Sequence, residues 1–324
     1  MPQQETVELE GLPFGRRFRF RLEALGLRTA AGLVQRLPFF WVAKLARVAG
    51  WVAFHLDGRG RGVALENLRI VFGDEYSEAE RRVIARKSYQ YFARTMLELL
   101  WSPNLNNDGW RKVTHLHIAG GEPPAGAGIY YCLHFGNFEW LNHLGALAIE
   151  RGMVIAQKFR NPLLTPIFAQ LRGSTGNEVI PQERAVIRML KFLKAGRKFG
   201  ALTDLNIDPR EGAVVIECFG LKTCVTPLVG TLIKRVPTAV VPCEAVPAED
   251  GRWNIYFHEP LVFPAEANER DIAQACWDRL EPSIRKHPEL WLWPYKHWRF
   301  KPRDAEREYP FYSNHAKRFD KLVG

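Results

Sequence analysis

The chain is poor in several things that would assign it quickly. It has five cysteines in 324 residues, and Cys132, Cys218, Cys224, Cys243 and Cys276 show no paired spacing. An odd, dispersed set fits a reducing compartment, with thiols used as small core residues. No Gly-x-Ser-x-Gly elbow occurs, which argues against an α/β-hydrolase. Gly120, Gly121, Gly126 and Gly128 lack the Gly-Lys-Ser/Thr that completes a phosphate loop. No internal repeat or low-complexity tract appears, and the first residues, polar and acidic, do not read as a cleavable signal peptide. Acidic side chains are also in deficit, 35 against 45 Lys and Arg, which leaves a net charge of +10. That excess suits an anionic partner: nucleic acid, an acidic membrane surface or an acidic carrier protein. With no zinc-finger spacing and no RNA-binding aromatic signature, nucleic acid is the weaker reading.

What the chain does have is apolar and aromatic mass: 47% hydrophobic residues, with 10 Trp and 20 Phe. Residues 1–36 interleave Arg16, Arg17, Arg19, Arg21 and Arg28 with Phe14, Phe18, Phe20 and Leu22. They predict a local helix with solvated charge, or one drawn to anionic lipid. Residues 37–56 form the most apolar window. A bilayer span needs ~20 largely uncharged residues, and Lys44 and Arg47 interrupt this window on one face. It reads as an amphipathic helix in the membrane interface, or as a helix packed on the domain with snorkelling Lys and Arg. Gly58 to Gly62 reads as a flexible basic loop. Ser77 and Glu80 form a capping box that opens a long amphipathic helix through Val83, Tyr91, Met96 and Leu100. Residues 102–112 read as a polar loop.

From about residue 113 strands and helices alternate. Strands are expected at 114–118, 128–133, 153–157, 200–204, 213–218, 238–245 and 253–258, and helices at 138–150, 162–172, 184–195, 226–235 and 268–286. The fold class is therefore α/β, a mixed and largely parallel sheet flanked by helices. No clean linker appears. The simplest division is an N-terminal helical region over 1–112, an α/β core over 113–300 and a polar, solvated tail over 301–324, all in one integrated domain.

Within the core, Gly128 to Cys132 is a short apolar run, which reads as a strand buried on both faces. It ends at His134, and Gly136 and Asn137 open the following helix through Trp140 and Leu144. An imidazole thus sits where a strand gives way to a helix, the place where open α/β sheets bind ligands. Glu139 follows five residues on. A carboxylate on one ring nitrogen would fix the tautomer and leave the other nitrogen to take a proton from a hydroxyl. On spacing alone the preferred reading is plainer: a backbone-bonded His at a strand end, with Glu139 solvated. Other motifs fail. Asp204-x-Asn206-x-Asp208 imitates a calcium loop, but Pro209 and Val215 stand where Gly and Glu are needed. His115 and His117 have no third metal ligand at useful spacing. Cys132 shares a strand face with His134 and reads as a buried core thiol rather than a nucleophile. Near the C terminus, Trp291, Trp293 and Trp298 read as an aromatic cluster sealing the sheet against a helix.

The run His134-Phe135-Gly136-Asn137-Phe138-Glu139 resembles the His-x-x-x-x-Glu/Asp block of the lipid A secondary acyltransferases, within the wider glycerolipid acyltransferase superfamily. Further short matches follow in order between residues 37 and 300: Ala64 to Phe72, Arg160-Asn161-Pro162, Arg172 with Gly176, Asp204 at a strand end, Phe219-Gly220 with Thr226 (expected to cap the next helix), and Pro288 to Arg299. The resemblance implies transfer of a fatty acyl chain from acyl carrier protein or coenzyme A to a hydroxyl of a membrane glycolipid such as a lipid A precursor. It makes His134 the general base and Glu139 its orienting partner. Arg160, Arg172, Asp204 and Asn137 become substrate-binding or charge-stabilising residues. It implies no metal and no cofactor beyond the acyl thioester, an anionic membrane lipid rather than nucleic acid as partner, and a peripheral or monotopic place on the cytoplasmic face of the bacterial inner membrane. Acylation of a lysophospholipid or another glycolipid stays open, as does a non-catalytic membrane-binding protein.

Overall fold

A computed structural model of the chain describes residues 9, 11–156, 158–181 and 185–323. Gln157, at the end of one expected strand, and Arg184, at the start of one expected helix, lie outside the described residues, as do residues 1–8.

Four helices lead into the core. They are α1 (Phe14–Val34), α2 (Phe39–Leu56), α3 (Gly58–Phe72) and α4 (Glu78–Trp101). The expected capping box opens α4: Ser77 Oγ accepts from Glu80 N–H, and Glu80 reaches back to Ser77 N–H at 2.8 Å. The expected loop at Gly58 to Gly62 is instead the first turn of α3. Asp57 caps it, accepting from Gly60 N–H at 2.8 Å while Tyr89 O–H donates to its other oxygen. A Cβ on Gly60 would meet that carboxylate at 2.1 Å, so glycine serves close packing here rather than flexibility.

The sheet follows. Its strands in chain order are β1 (Thr114–Ile118), β2 (Gly128–Cys132), β3 (Met153–Ala156), β4 (Glu178–Pro181), β5 (Lys198–Leu202), β8 (Ala239–Pro247) and β9 (Trp253–Phe257); β6 (Val214–Cys218) and β7 (Leu221–Val225) form a separate hairpin. The order across the sheet is β1-β9-β8-β2-β5-β3-β4, parallel throughout except where β8 meets β9. This is the mixed, largely parallel sheet expected, with β4 and β7 added to the strands read from sequence. The connecting helices are α5 (Phe138–Ala148), α6 (Leu164–Arg172), α7 (Ala185–Lys194), α8 (Leu228–Ile233) and α9 (Glu269–Lys286). Strand β2 lies centrally. Its Ile129 and Tyr131 enter one apolar core with α3, α7, α8 and α9, and its Tyr130 and Cys132 enter a second with α1, α5 and α6. A strand buried on both sides must be apolar at every position, which is why this run lacks polar alternation.

The C-terminal segment is not a solvated tail. Residues 300–301 and 314–315 pair, and a last helix, α10 (Lys317–Val323), buries Phe319 completely beside Ala213, Val215 and Cys224. Tyr312 O–H donates to the buried Asn67 at 2.6 Å. Local composition misled here because a few apolar side chains, spaced among many charges, do the anchoring.

Candidate active site

The turn after β2 carries His134, and three contacts hold it. Gly136 N–H donates to Leu290 at 2.9 Å, Thr95 O–H donates to the Gly136 carbonyl at 2.9 Å, and Phe135 forms a bridge with Trp291. Gly136 has φ of 57°, and a Cβ there would lie 1.7 Å from the Ala245 carbonyl oxygen. Only glycine meets both conditions. Asn137 then caps α5 through Trp140 N–H at 3.0 Å, and its amide nitrogen donates to Glu98 at 2.6 Å. Glu98 is fully buried on α4 and also accepts from Arg94 at 2.6 Å and from the Trp253 indole at 2.8 Å. Burial pushes its carboxyl upward, against the pull of Arg94 and these donors. Asn137 was expected to face substrate. Its oxygen and nitrogen are both engaged within the fold, which makes it a support of the turn.

His134 does not bond to Glu139. Its Nδ1 lies 2.8 Å from Asp204 Oδ1, and its backbone N–H donates to Asp204 Oδ2 at 3.0 Å. The sheet register explains this. Cys132 pairs with Leu202 across β2 and β5, so residues two further along each parallel strand emerge side by side. An ionised carboxylate only accepts, so Nδ1 carries the hydrogen and Nε2 is left for a substrate proton. The Asp204 side chain is fully buried. Burial alone would raise its carboxyl, but the charge and hydrogen bond of His134, with smaller help from His297 and Trp291, hold it at about 2.

Glu139 turns the other way. Its two oxygens take Nε and Nη2 of Arg172 at 3.0 and 2.5 Å, a bidentate pair with both side chains mostly buried. Phe138, one residue earlier, packs its ring 4.8 Å from the His134 ring, so the start of α5 directs Glu139 away from the imidazole and toward the end of α6. Burial works against the Arg172 charge, yet Glu139 holds that proton more firmly than usual. Arg160 is exposed and lies outside the cavity described next; the neighbouring Asn161 anchors that loop to α1 through the Phe20 carbonyl at 3.0 Å.

His134, Glu139 and Arg172 open onto one cavity of about 600 Å³. Its walls are mainly apolar, among them Phe138, Leu141, Met153, Ile155, Met189 and Leu202. The cavity exists because the sheet splays. β3 pairs with β5 only at Met153 and Phe199, and beyond that pair Val154, Ile155, Gly200 and Ala201 line open space. Among the described residues no cluster of His, Cys, Asp or Glu could hold a metal. Cys132 lines the cavity, but burial pushes its thiol well up, away from nucleophilic use. The remaining expectations at the site fare unevenly. Thr226 lies on the cavity wall and accepts from Leu228 N–H at 3.3 Å, but it is not the helix cap expected: Pro227 holds the N-cap position of α8, with no side-chain cap bond. Phe219 is not at the cavity; it is buried among Trp277, Trp291, Trp293 and Trp298. Sequence reading missed the Asp204 contact with His134, Glu98 as the anchor of Asn137, and the Trp291 indole on Asp204. Only the first left a signal, a carboxylate closing a strand.

A comparison with curated protein sequences finds no match. Among solved structures, the crystal structure of the 1-acyl-sn-glycerophosphate (LPA) acyltransferase PlsC from Thermotoga maritima is similar at a TM-score of 0.37 and 12% identity, over 75% of this chain and 97% of that one. A family model for bacterial lipid A biosynthesis acyltransferases matches residues 18–300, most of the chain, and with that match the protein belongs to the bacterial lipid A biosynthesis acyltransferase family.

Proposed function

We propose that this acyltransferase moves a fatty acyl chain from an acyl carrier protein or coenzyme A thioester to a hydroxyl of a membrane glycolipid such as a lipid A precursor, with His134 as general base. The observation that carries the reading is an imidazole fixed by a buried carboxylate on the wall of an apolar cavity. Nε2 takes the acceptor hydroxyl proton as that oxygen attacks the thioester carbonyl carbon. The tetrahedral intermediate collapses, the carbon–sulfur bond breaks, and the leaving thiolate takes the proton back from the imidazolium. Asp204 stabilises the imidazolium in between. The cavity accepts the acyl chain, whose transfer from water is favourable by about 0.8 kcal/mol per CH₂. Arg172 keeps Nη1 free of Glu139, so it can meet negative charge on the acceptor or on the developing oxyanion. Arg160, on the surface, takes a lesser part.

The enzyme works at the cytoplasmic face of the inner membrane. Helix α2 packs Val42, Ala46, Gly50 and Phe54 against the domain and exposes Trp41, Leu45, Val48, Trp51 and Val52 on its other side. A Cβ on Gly50 would lie 2.3 Å from the Gln90 Cα, so α2 is fastened tightly to α4. Although α2 is long and apolar enough to cross a bilayer, that docking favours a helix lying in the interface. Helix α1 adds exposed Phe14, Phe18, Leu22 and Leu25 beside its arginines, a combination suited to anionic lipid.

The test is an acyl-transfer assay with labelled acyl carrier protein or acyl-coenzyme A and total bacterial lipid, with mass spectrometry of the product. Transfer to a glycolipid that disappears in His134→Ala supports the proposal. A folded His134→Ala protein with wild-type activity removes His134 from the mechanism. Acylation confined to lysophospholipids replaces the acceptor class.

A further inference from the structure

Asp204 has one more partner. The indole Nε1–H of Trp291 donates to Asp204 Oδ2 at 3.0 Å, and Trp291 is 1% exposed. Oδ2 therefore takes two donors, this indole and the His134 backbone N–H, while Oδ1 is left to face the imidazole. The indole itself has little freedom. Its ring stacks on His297 with centroids 3.8 Å apart and meets the Trp293 ring edge-on at 4.8 Å. Its backbone bridges Phe135, the residue after His134, and its carbonyl accepts from Ser88 at 2.5 Å.

Resting on the His134 reading above, we infer that Trp291 is a positioning residue of the reaction: its indole N–H fixes the Asp204 carboxylate so that one oxygen is aimed at His134. An indole can only donate, so it selects the ionised carboxylate. A hydrogen bond to a charged group is stronger than a neutral one, and at metal sites the loss of a partner that orients a ligating side chain costs about 10–100-fold, the scale expected of an orienting bond here. Without the indole, Asp204 Oδ2 keeps only the His134 backbone N–H, so the carboxylate is held less firmly and becomes more basic. A more basic carboxylate holds a protonated partner more tightly, so the pH dependence of transfer moves upward.

The test pairs two substitutions from the same aromatic cluster. Trp291→Phe removes ring volume and the hydrogen bond. Trp298→Phe removes the same volume, but the Trp298 Nε1 is buried without a partner, so no bond to the site is lost. In the acyl-transfer assay, Trp291→Phe is expected to lower kcat by about tenfold or more with little change in the KM for the thioester. The acidic limb of its kcat/KM profile should move up by about half a pH unit, and the loss should vanish in an Asp204→Asn background. Trp298→Phe should leave the pH profile in place. Matching profiles for the two variants, or a Trp291→Phe loss that adds in full to that of Asp204→Asn, overturns the inference. If Trp291→Phe does not fold, ¹⁵N-tryptophan labelling of the otherwise wild-type protein decides: the Trp291 indole resonance should move in Asp204→Asn and the Trp298 one should not, and an unmoved Trp291 resonance overturns the inference. A fully active Asp204→Asn instead removes the His134–Asp204 reading on which it stands.

Discussion

The two carboxylates near His134 have different tasks, and their substitutions should separate them. Asp204→Asn leaves the shape but replaces an acceptor with a group whose NH₂ can donate to Nδ1 and fix the wrong imidazole tautomer, an error worth about 10⁴-fold in a comparable relay. The loss should fall on kcat. Glu139→Gln leaves that relay intact and strands Arg172, a mostly buried cation. Breaking such a pair from one side costs about 3 kcal/mol of stability. The expected signature is a lowered Tm and a smaller loss of kcat than in Asp204→Asn; the reverse order in kcat would return Glu139 to the imidazole. Two other histidines set the acid response. Burial, together with the nearby Arg172, lowers His143 to about 3, and burial lowers His297 to about 4. Each stays neutral in the fold but takes a proton near pH 6.5 once unfolded. Their contribution to stability is complete above that pH and falls as pH drops from about 6.5 toward about 4, by about 1.4 kcal/mol per unit for each. Asp204, lowered to about 2, loses its own contribution only below about pH 4. Thermal unfolding at pH 7 and pH 5 should show the drop, and His143→Gln should roughly halve it, leaving the share of His297.

At the scale of elements, α5 and the splayed edge of β5 decide what the cavity holds. Gly145 lies inside α5 and lines the cavity, and a Cβ there meets nothing within 4 Å. Gly145→Leu should therefore fold well, since leucine is the better helix former by almost 1 kcal/mol. Its side chain would occupy part of the cavity and shift transfer toward shorter acyl chains, read by mass spectrometry in a mixed-donor competition. An unchanged chain-length profile would place the acyl chain elsewhere. Most of these elements were legible before the structure, because hydrophobic period and capping residues act over a few positions. The expected strands match the observed ones to within about two residues, and the Ser77 capping box opens its helix as read. What failed failed for local reasons. The glycine-rich run at 58–62 looked like a loop because its helix start depends on Tyr89 and Asp57 meeting across two helices.

At the scale of the whole molecule, α1 and α2 each expose large apolar side chains beside basic ones, the two segments that the sequence reads as drawn to a membrane surface. Exposed Phe14, Phe18, Trp41 and Trp51 should give binding to vesicles rich in anionic lipid, weakened by salt. A Trp41→Ser, Trp51→Ser double variant should sediment with such vesicles markedly less than wild type while keeping its Tm. Equal sedimentation would place the membrane contact elsewhere.

By itself the sequence determined the α/β class, the burial of β2 on both faces, and the arrival of His134 at a strand-to-helix junction, since each follows from side chains close together in the chain. It also carried the family, through short matches kept in order. The tertiary structure alone decided which carboxylate serves the imidazole. Glu139 is five residues away and faces Arg172, whereas Asp204 is 70 residues away and faces His134. Proximity along a chain does not survive a tight turn and a helix cap, but two parallel strands in register bring their ends together whatever lies between them.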